Sequence, residues 1–314
     1  MTRTVLKSDP TSSATTVPET HDQGAGDLRD QLRKTGTAHL FWDAANRFRA
    51  ADGTSFARAL GHSSVTTLIP AVIAALGLVT TFEMPGFKSV LEDAARAFAP
   101  GPAGGILTEA LAQAKPSGGT TALVAGLVGM LFSGTVGMTH LERAANRIYG
   151  VDEDRSSWRR YGLALALAAS VEVMLMVGLA VIVAGGPIGE GGDGSQLSQG
   201  SGIWSVLRWP IGVALVAVAM TIIFKVVPNR RQPQFSWLLS GTTVSVAVWV
   251  LATILLGLFY EHASVLGGSY GPLLGVVALL VWAYATGVAV LYGLACAAQL
   301  EAERAGEPDS ARDE

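Results

Sequence analysis

Residues 263–300 read ASVLGGSYGPLLGVVALLVWAYATGVAVLYGLACAAQL, 38 consecutive positions without an Asp, Glu, Lys or Arg. Residues 232–260 lack those four residue types as well. No water-facing surface can be built from such runs. A bilayer core about 30 Å thick takes roughly 20 apolar residues as helix, and lipid offers no partner to a bare N–H or C=O, so a span must be helical. The fold class expected is all-α, a polytopic membrane protein.

Read outward from those two runs, the chain shows six apolar stretches, at about 64–83, 119–139, 161–185, 205–227, 238–260 and 271–296. They predict a six-helix membrane domain over 37–300, between a disordered cytoplasmic tail at 1–36 and a second cytoplasmic tail at 301–314. The first tail, with Pro10, Pro18, Gly24, Gly26 and many Ser and Thr, has too little apolar surface to offset chain entropy. The whole chain is 50% hydrophobic and 15% charged, more apolar than a soluble core requires. No apolar h-region with a small-residue cleavage site opens it, so the first span is expected to serve as an uncleaved anchor.

Basic loops are retained in the cytoplasm. With the N-terminus inside, 18 of the 22 Lys and Arg fall on the cytoplasmic side, leaving Lys88, Arg96, Lys115 and Arg208 outside. Trp158 and Tyr161, Trp204 and Trp209, and Trp237 and Tyr260 stand near span ends, where aromatic side chains anchor at the interface. Both termini are therefore expected inside a bacterial plasma membrane.

Two stretches have amphipathic spacing. Leu40, Ala44, Phe48 and Ala51 share one helical face over 38–51, which suits either a helix lying in the inner interface or one packed on the bundle. Phe87, Val90, Leu91, Ala94 and Phe98 form a stripe in the external loop 84–118, which is expected to carry helix.

Small residues recur every fourth position in two spans: Thr121, Ala125, Gly129, Ser133 and Gly137 in the second, and Ala285, Ala289, Gly293 and Ala297 in the sixth. Close backbone approach is a main source of packing energy in lipid, so these are read as helix contacts, with a homo-oligomer seam the alternative. Pro70 removes a backbone donor inside the first span and is expected to kink it.

Glu172 is the ionisable residue to explain. It lies 11 residues into its apolar run, about 17 Å down at 1.5 Å per residue, near the bilayer midplane. A central charge costs about 2.5 to 3.5 kcal/mol on insertion scales, so Glu172 is either a substrate or proton site or a protonated carboxyl hydrogen-bonded to a neighbouring helix. Arg208 and Lys225 stand near span ends and can snorkel.

Several catalytic patterns occur without their context. Gly189, Gly191 and Gly194 spell GxGxxG after a membrane helix rather than a strand, and Gly267, Ser269 and Gly271 spell GxSxG between membrane helices, with Glu261 and His262 upstream. His140 and Glu142 make HxE without the Cys pair of a zinc deaminase. Cys296 is the lone cysteine, and His21, His39 and His62 show no metal-ligand spacing, so no metal, cofactor or enzymatic activity is expected. The acidic balance, net charge −3, argues against nucleic acid.

The order of these features resembles the YihY/virulence factor BrkB family of bacterial inner-membrane proteins over about residues 37–303. The resemblance rests on SSVTTLIP (63–70), LERAANRIYGVDEDR (141–155), KVVPNRR (225–231), Gly241, Trp249, SYG (269–271), Trp282 and the ending from Gly293 to Leu300. FARALGHSS (56–64) departs from it, being less aromatic than in relatives. The resemblance implies a six-helix membrane protein; members have carried a ribonuclease BN label, a link to serum resistance, or a proposed lipid-related transport role. The ribonuclease label is not supported by clustered His and Asp ligands in this sequence. Two readings follow. One is a transporter or lipid-handling protein with membrane lipid as partner and a lipid or amphiphile as substrate; the other is a scaffold that organises partners through its basic loops.

Overall fold

The computed structural model describes residues 15–19, 31, 37–82, 92, 99, 101–113, 119–151, 155–189, 214–262 and 264–306. Among the described residues the chain is helical, without a strand. The helices are α1 (Thr37–Ala50), α2 (Gly53–Phe82), α3 (Pro102–Gln113), α4 (Gly119–Tyr149), α5 (Ser157–Gly189), α6 (Ala214–Val226), α7 (Phe235–His262) and α8 (Ser264–Ala305). Four are long and apolar enough to cross a membrane: α2 over Gly53–Leu78, α4, α7, and α8 over Leu273–Ala305. The sequence predicts six spans. The described part of the fourth expected span is the shorter apolar helix α6, and α5 is not among the four.

The distribution of apolar side chains is that of a protein solvated by hydrocarbon. Phe132 and Ile69 are 74% and 66% exposed in the middle of their helices, and Leu251, Ile254, Leu255 and Leu258 line the outer face of α7. In water such a surface would be an aggregation site; in lipid it is the solvent contact.

α2 lies between α4 and α8, and α7 packs on another face of α8. The α2–α4 seam is built on glycine. A Cβ at Gly77 would meet the backbone of Leu123, one at Gly126 the backbone of Ala74, and one at Gly129 would stand 2.8 Å from Cβ of Pro70. Ser133 is buried, and Gly137 faces Ser63. Ala125, expected in this seam, is exposed, and Gly126 occupies the contact position instead. Strict four-residue spacing advances about 40° around a helix at each step, so a seam must mix steps of three and four. α2 runs unbroken through Pro70, whose ring fits the gap at Gly129.

α8 uses two faces. Gly293 and Ala297 meet Gly241 and Ser245 of α7, while Gly287 lies against Ala57 and Tyr284 against Gly61 of α2. Ala289 is buried between these contacts and Ala285 is half-buried. Across the α7–α8 seam the Trp249 indole donates to Thr286 (3.1 Å) and the Trp282 indole to Thr253 (3.3 Å). Each indole finds a hydroxyl in a medium that offers no water.

The amphipathic stretch at 38–51 forms α1, and Leu40, Ala44, Phe48 and Ala51 are all buried, with α8 the main helix it packs on. The stretch 84–118, expected to carry helix, contains α3, and its stripe of Phe87, Val90, Leu91, Ala94 and Phe98 lies outside the described residues. Two terminal expectations require correction. Residues 15–19 belong to the fold, with Val17 buried in the core and its N–H donating to the Tyr149 carbonyl at 3.0 Å. At the other end α8 continues to Ala305, and Glu301, expected in a solvated tail, is wholly buried.

Candidate functional site

Arg47, Glu142, Glu172 and Glu301 are the buried charged residues among those described. Glu172 stands apart from the other three. It projects from α5 onto α4, where its Oε1 lies against Gly134: a Cβ at that position would stand 3.0 Å from the oxygen, a tight contact. The residue is 8% exposed, and this oxygen has no hydrogen-bond partner among the described residues. The neighbouring-helix hydrogen bond anticipated for Glu172 is therefore not made by this atom; Gly134 offers space without a donor. A carboxyl in that position can bind a proton, or a polar group brought to it.

The other three belong to a polar cluster at the end of the bundle that holds α1. Arg155 donates to Glu142 Oε1 (2.9 Å) and to the carbonyls of Val226, Val227 and Pro228 (3.1, 2.7 and 3.1 Å). These carbonyls end α6, so one guanidinium satisfies the acceptors that a helix C-terminus leaves open and complements its dipole. Arg47 does the same for α4, donating to Ile148 O (3.0 Å), and also to Gln299 Oε1 (2.9 Å) and Thr15 O (2.9 Å). α4 ends at Gly150, whose φ of +64° suits a residue without Cβ. Burial lowers the Arg47 pKa to about 10, with Arg230 lowering it further and Tyr149 opposing. Arg47 remains charged at neutral pH.

Arg230 pairs with Glu301 at 2.8 Å, donates to Pro18 O (3.1 Å) and lies 4.7 Å above the Tyr149 ring. Asn146 accepts from the Asn229 N–H at 2.8 Å. LERAANRIYGVDEDR and KVVPNRR, read separately along the chain, thus meet in one interlocked cluster. Their polar residues carried the signal, but the burial of Arg47, Gln299 and Glu301 had no local sign.

Beside this cluster, His39 and Asp43 of α1 and Glu303 of α8 bring one donor atom each within 4.8 Å of one another. The sequence reading found no metal-ligand spacing, because the third donor lies more than 250 residues from the first two. His39 and Asp43 alone, one helical turn apart, were the available sign.

The remaining motifs do not assemble. Glu142 of the HxE pair is held by Arg155, while His140 lies 3.3 Å from Ser63 in the α2–α4 seam. The GxSxG stretch is inside helix α8, without the preceding strand a nucleophile elbow needs. Of GxGxxG, only Gly189 is described, at the end of α5. Lys225 donates to Pro233 O (3.0 Å) and covers the Phe235 ring at 4.9 Å, its stem on apolar surface and its charge at a helix end. Arg208, Trp204 and Trp209 lie outside the described residues.

The polar cluster and the glycine seams gather the stretches that carry the family resemblance, and the family model for virulence factor BrkB matches residues 44–314. The chain belongs to the virulence factor BrkB family. This BrkB-family chain is 21% identical over 254 residues to the ribonuclease-like protein YfkH of Bacillus subtilis, covering 79% of its own length and 90% of that protein. It is 27% identical over 265 residues to a UPF0761 membrane protein of Rhodospirillum rubrum, and 25% identical over 285 residues to one of Xanthomonas campestris pv. campestris. Those matches cover 78% and 88% of this chain, which spans only 54% and 63% of the two longer relatives. No solved structure matches it.

Proposed function

We propose that this BrkB-family membrane protein moves or handles an amphiphile, such as a lipid, across or within the bacterial plasma membrane. The observation that supports this most is Glu172, a carboxyl near mid-span whose buried Oε1 has no partner among the described residues and faces a glycine. An amphiphile whose tail stays in lipid needs little polar lining, which suits a chain with few buried charges in its apolar part. The proposal takes α5 and the stretch 205–227 as spans beside the four long apolar helices. It puts the polar cluster and both termini in the cytoplasm, on the balance of basic residues.

The reading is not enzymatic, and the ribonuclease-like name of the Bacillus relative is not carried over. Ser63 and His140 are the described hydroxyl–imidazole pair. Ser63 is 7% exposed in the α2–α4 seam, and among the described residues no carboxylate orients His140.

The second reading, a membrane scaffold, is favoured by the polar cluster itself, whose ion pairs and Arg47 hydrogen bonds hold α1, α4, α8 and the end of α6 in one arrangement. Reconstitution in liposomes separates the two. Labelled phospholipid should redistribute faster than in protein-free vesicles, and Glu172→Gln should slow it at least about tenfold if the carboxyl takes part. Wild-type flux unchanged in the variant removes Glu172 from the mechanism, and absence of flux with any amphiphile favours the scaffold.

A further inference from the structure

We propose that His39, Asp43 and Glu303 form a divalent-metal site that fastens α1 to α8. The spacing of His39 and Asp43 sets both on one face of α1, with His39 Nδ1 2.7 Å from Asp43 Oδ2. Glu303 lies one helical position pair beyond the buried Glu301 and brings its carboxylate to the same place. The three donor atoms lie within 4.8 Å of one another. Metal–ligand bonds of about 2.0 to 2.2 Å require donors roughly 3.3 Å apart, so donors at the 4.8 Å limit close by about 1.5 Å while the His39–Asp43 hydrogen bond gives way to the ion.

Glu303 supplies the independent sign. Both of its carboxylate oxygens are shielded from solvent, and neither has a hydrogen-bond partner among the described residues. A carboxylate deprived of water and donors, next to a second carboxylate, is an arrangement that a cation resolves. One neutral imidazole and two carboxylates carry two negative charges, which a divalent ion neutralises. The mixed nitrogen and oxygen set suits a first-row transition ion such as Zn2+ better than Mg2+, which prefers oxygen alone. The His39 side chain is 72% exposed, leaving a route for the ion and a coordination position open to water. The site does not depend on the transport reading.

The test uses the full chain in detergent micelles, stripped with EDTA and titrated with ZnCl2, MnCl2 or MgCl2 by calorimetry, with bound metal counted by elemental analysis. One Zn2+ per chain is expected. His39→Ala and Glu303→Gln should each weaken binding about a hundredfold. Saturating Zn2+ should raise the thermal midpoint of the wild type by about 5 °C and leave both variants unmoved. His39 is exposed, so His39→Ala keeps the test decisive should Glu303→Gln destabilise the fold. Uptake below one ion per chain, uptake unchanged in His39→Ala, or preference for Mg2+ would each overturn the proposal.

Discussion

Arg230 and Glu301 form an ion pair of 2.8 Å with side chains only 3% and 0% exposed, joining the turn after α6 to the end of α8. Losing one member of a buried pair leaves the other charged and uncompensated, at a cost of about 3 to 5 kcal/mol. Glu301→Ala should therefore lower the thermal midpoint in detergent far more than a surface substitution does. The double variant Arg230→Met with Glu301→Leu should recover most of the loss, because it removes both charges and keeps apolar volume. A double variant as unstable as the single one would show that the pair's geometry, not its charge balance, holds this end together.

Ala125 and Gly126 are neighbours in sequence with opposite surroundings. Ala125 is exposed, and Ala125→Leu should change stability by no more than about 0.5 kcal/mol. Gly126→Leu drives a side chain into the backbone of Ala74 and should cost at least about 1 to 3 kcal/mol by separating α2 from α4. Thermal unfolding of the two variants in the same detergent measures the contrast.

Arg47 gives a pH prediction with a definite sign. Its folded pKa is lowered to about 10, below the unfolded value, so the penalty for burying the charge is fully present below pH 10 and is relieved only above it. Wild-type stability should owe no slope to Arg47 between pH 6 and pH 9. Arg47→Lys moves the same penalty onto a group whose ordinary pKa is about 10.4. The variant should be less stable at pH 7 and gain stability as pH rises toward that value. Unfolding midpoints across this range, wild type against variant, provide the measurement.

Removal of residues 1–19 should destabilise the polar end although it deletes no helix. Thr15 O and Pro18 O accept from Arg47 and Arg230, and each guanidinium N–H left buried without its acceptor costs about 1 to 3 kcal/mol. Val17→Asp should act similarly, since it puts a charge where Val17 is 3% exposed. Limited proteolysis would report the undocked segment as earlier cleavage near residue 20 in the Val17→Asp chain.

Legibility followed the range of the interaction. The buried face of α1 was readable because Leu40, Ala44, Phe48 and Ala51 follow the helical period. The small-residue seam was readable as a stripe but not in its register: Ala125 and Gly126 are equally small, and the crossing of α2 over α4 decides which one touches. Glu172 announced itself as a charge in an apolar run, while Gly134, the residue it faces, lies on a different helix. Glu301 read as part of a solvated tail because its partner, Arg230, is 71 residues away.

Sequence alone determined that this chain lives in lipid, because preference for hydrocarbon sums over each local stretch, and residues 232–260 and 263–300 contain nothing to oppose it. Tertiary structure alone decided how charge is buried at the polar end, because burial of Arg47, Glu142 and Glu301 depends on acceptors and cations from distant segments arriving at the same place. In that cluster each buried charge is offset by its partner, and the partner is chosen by the packing of helices rather than by its neighbours along the chain.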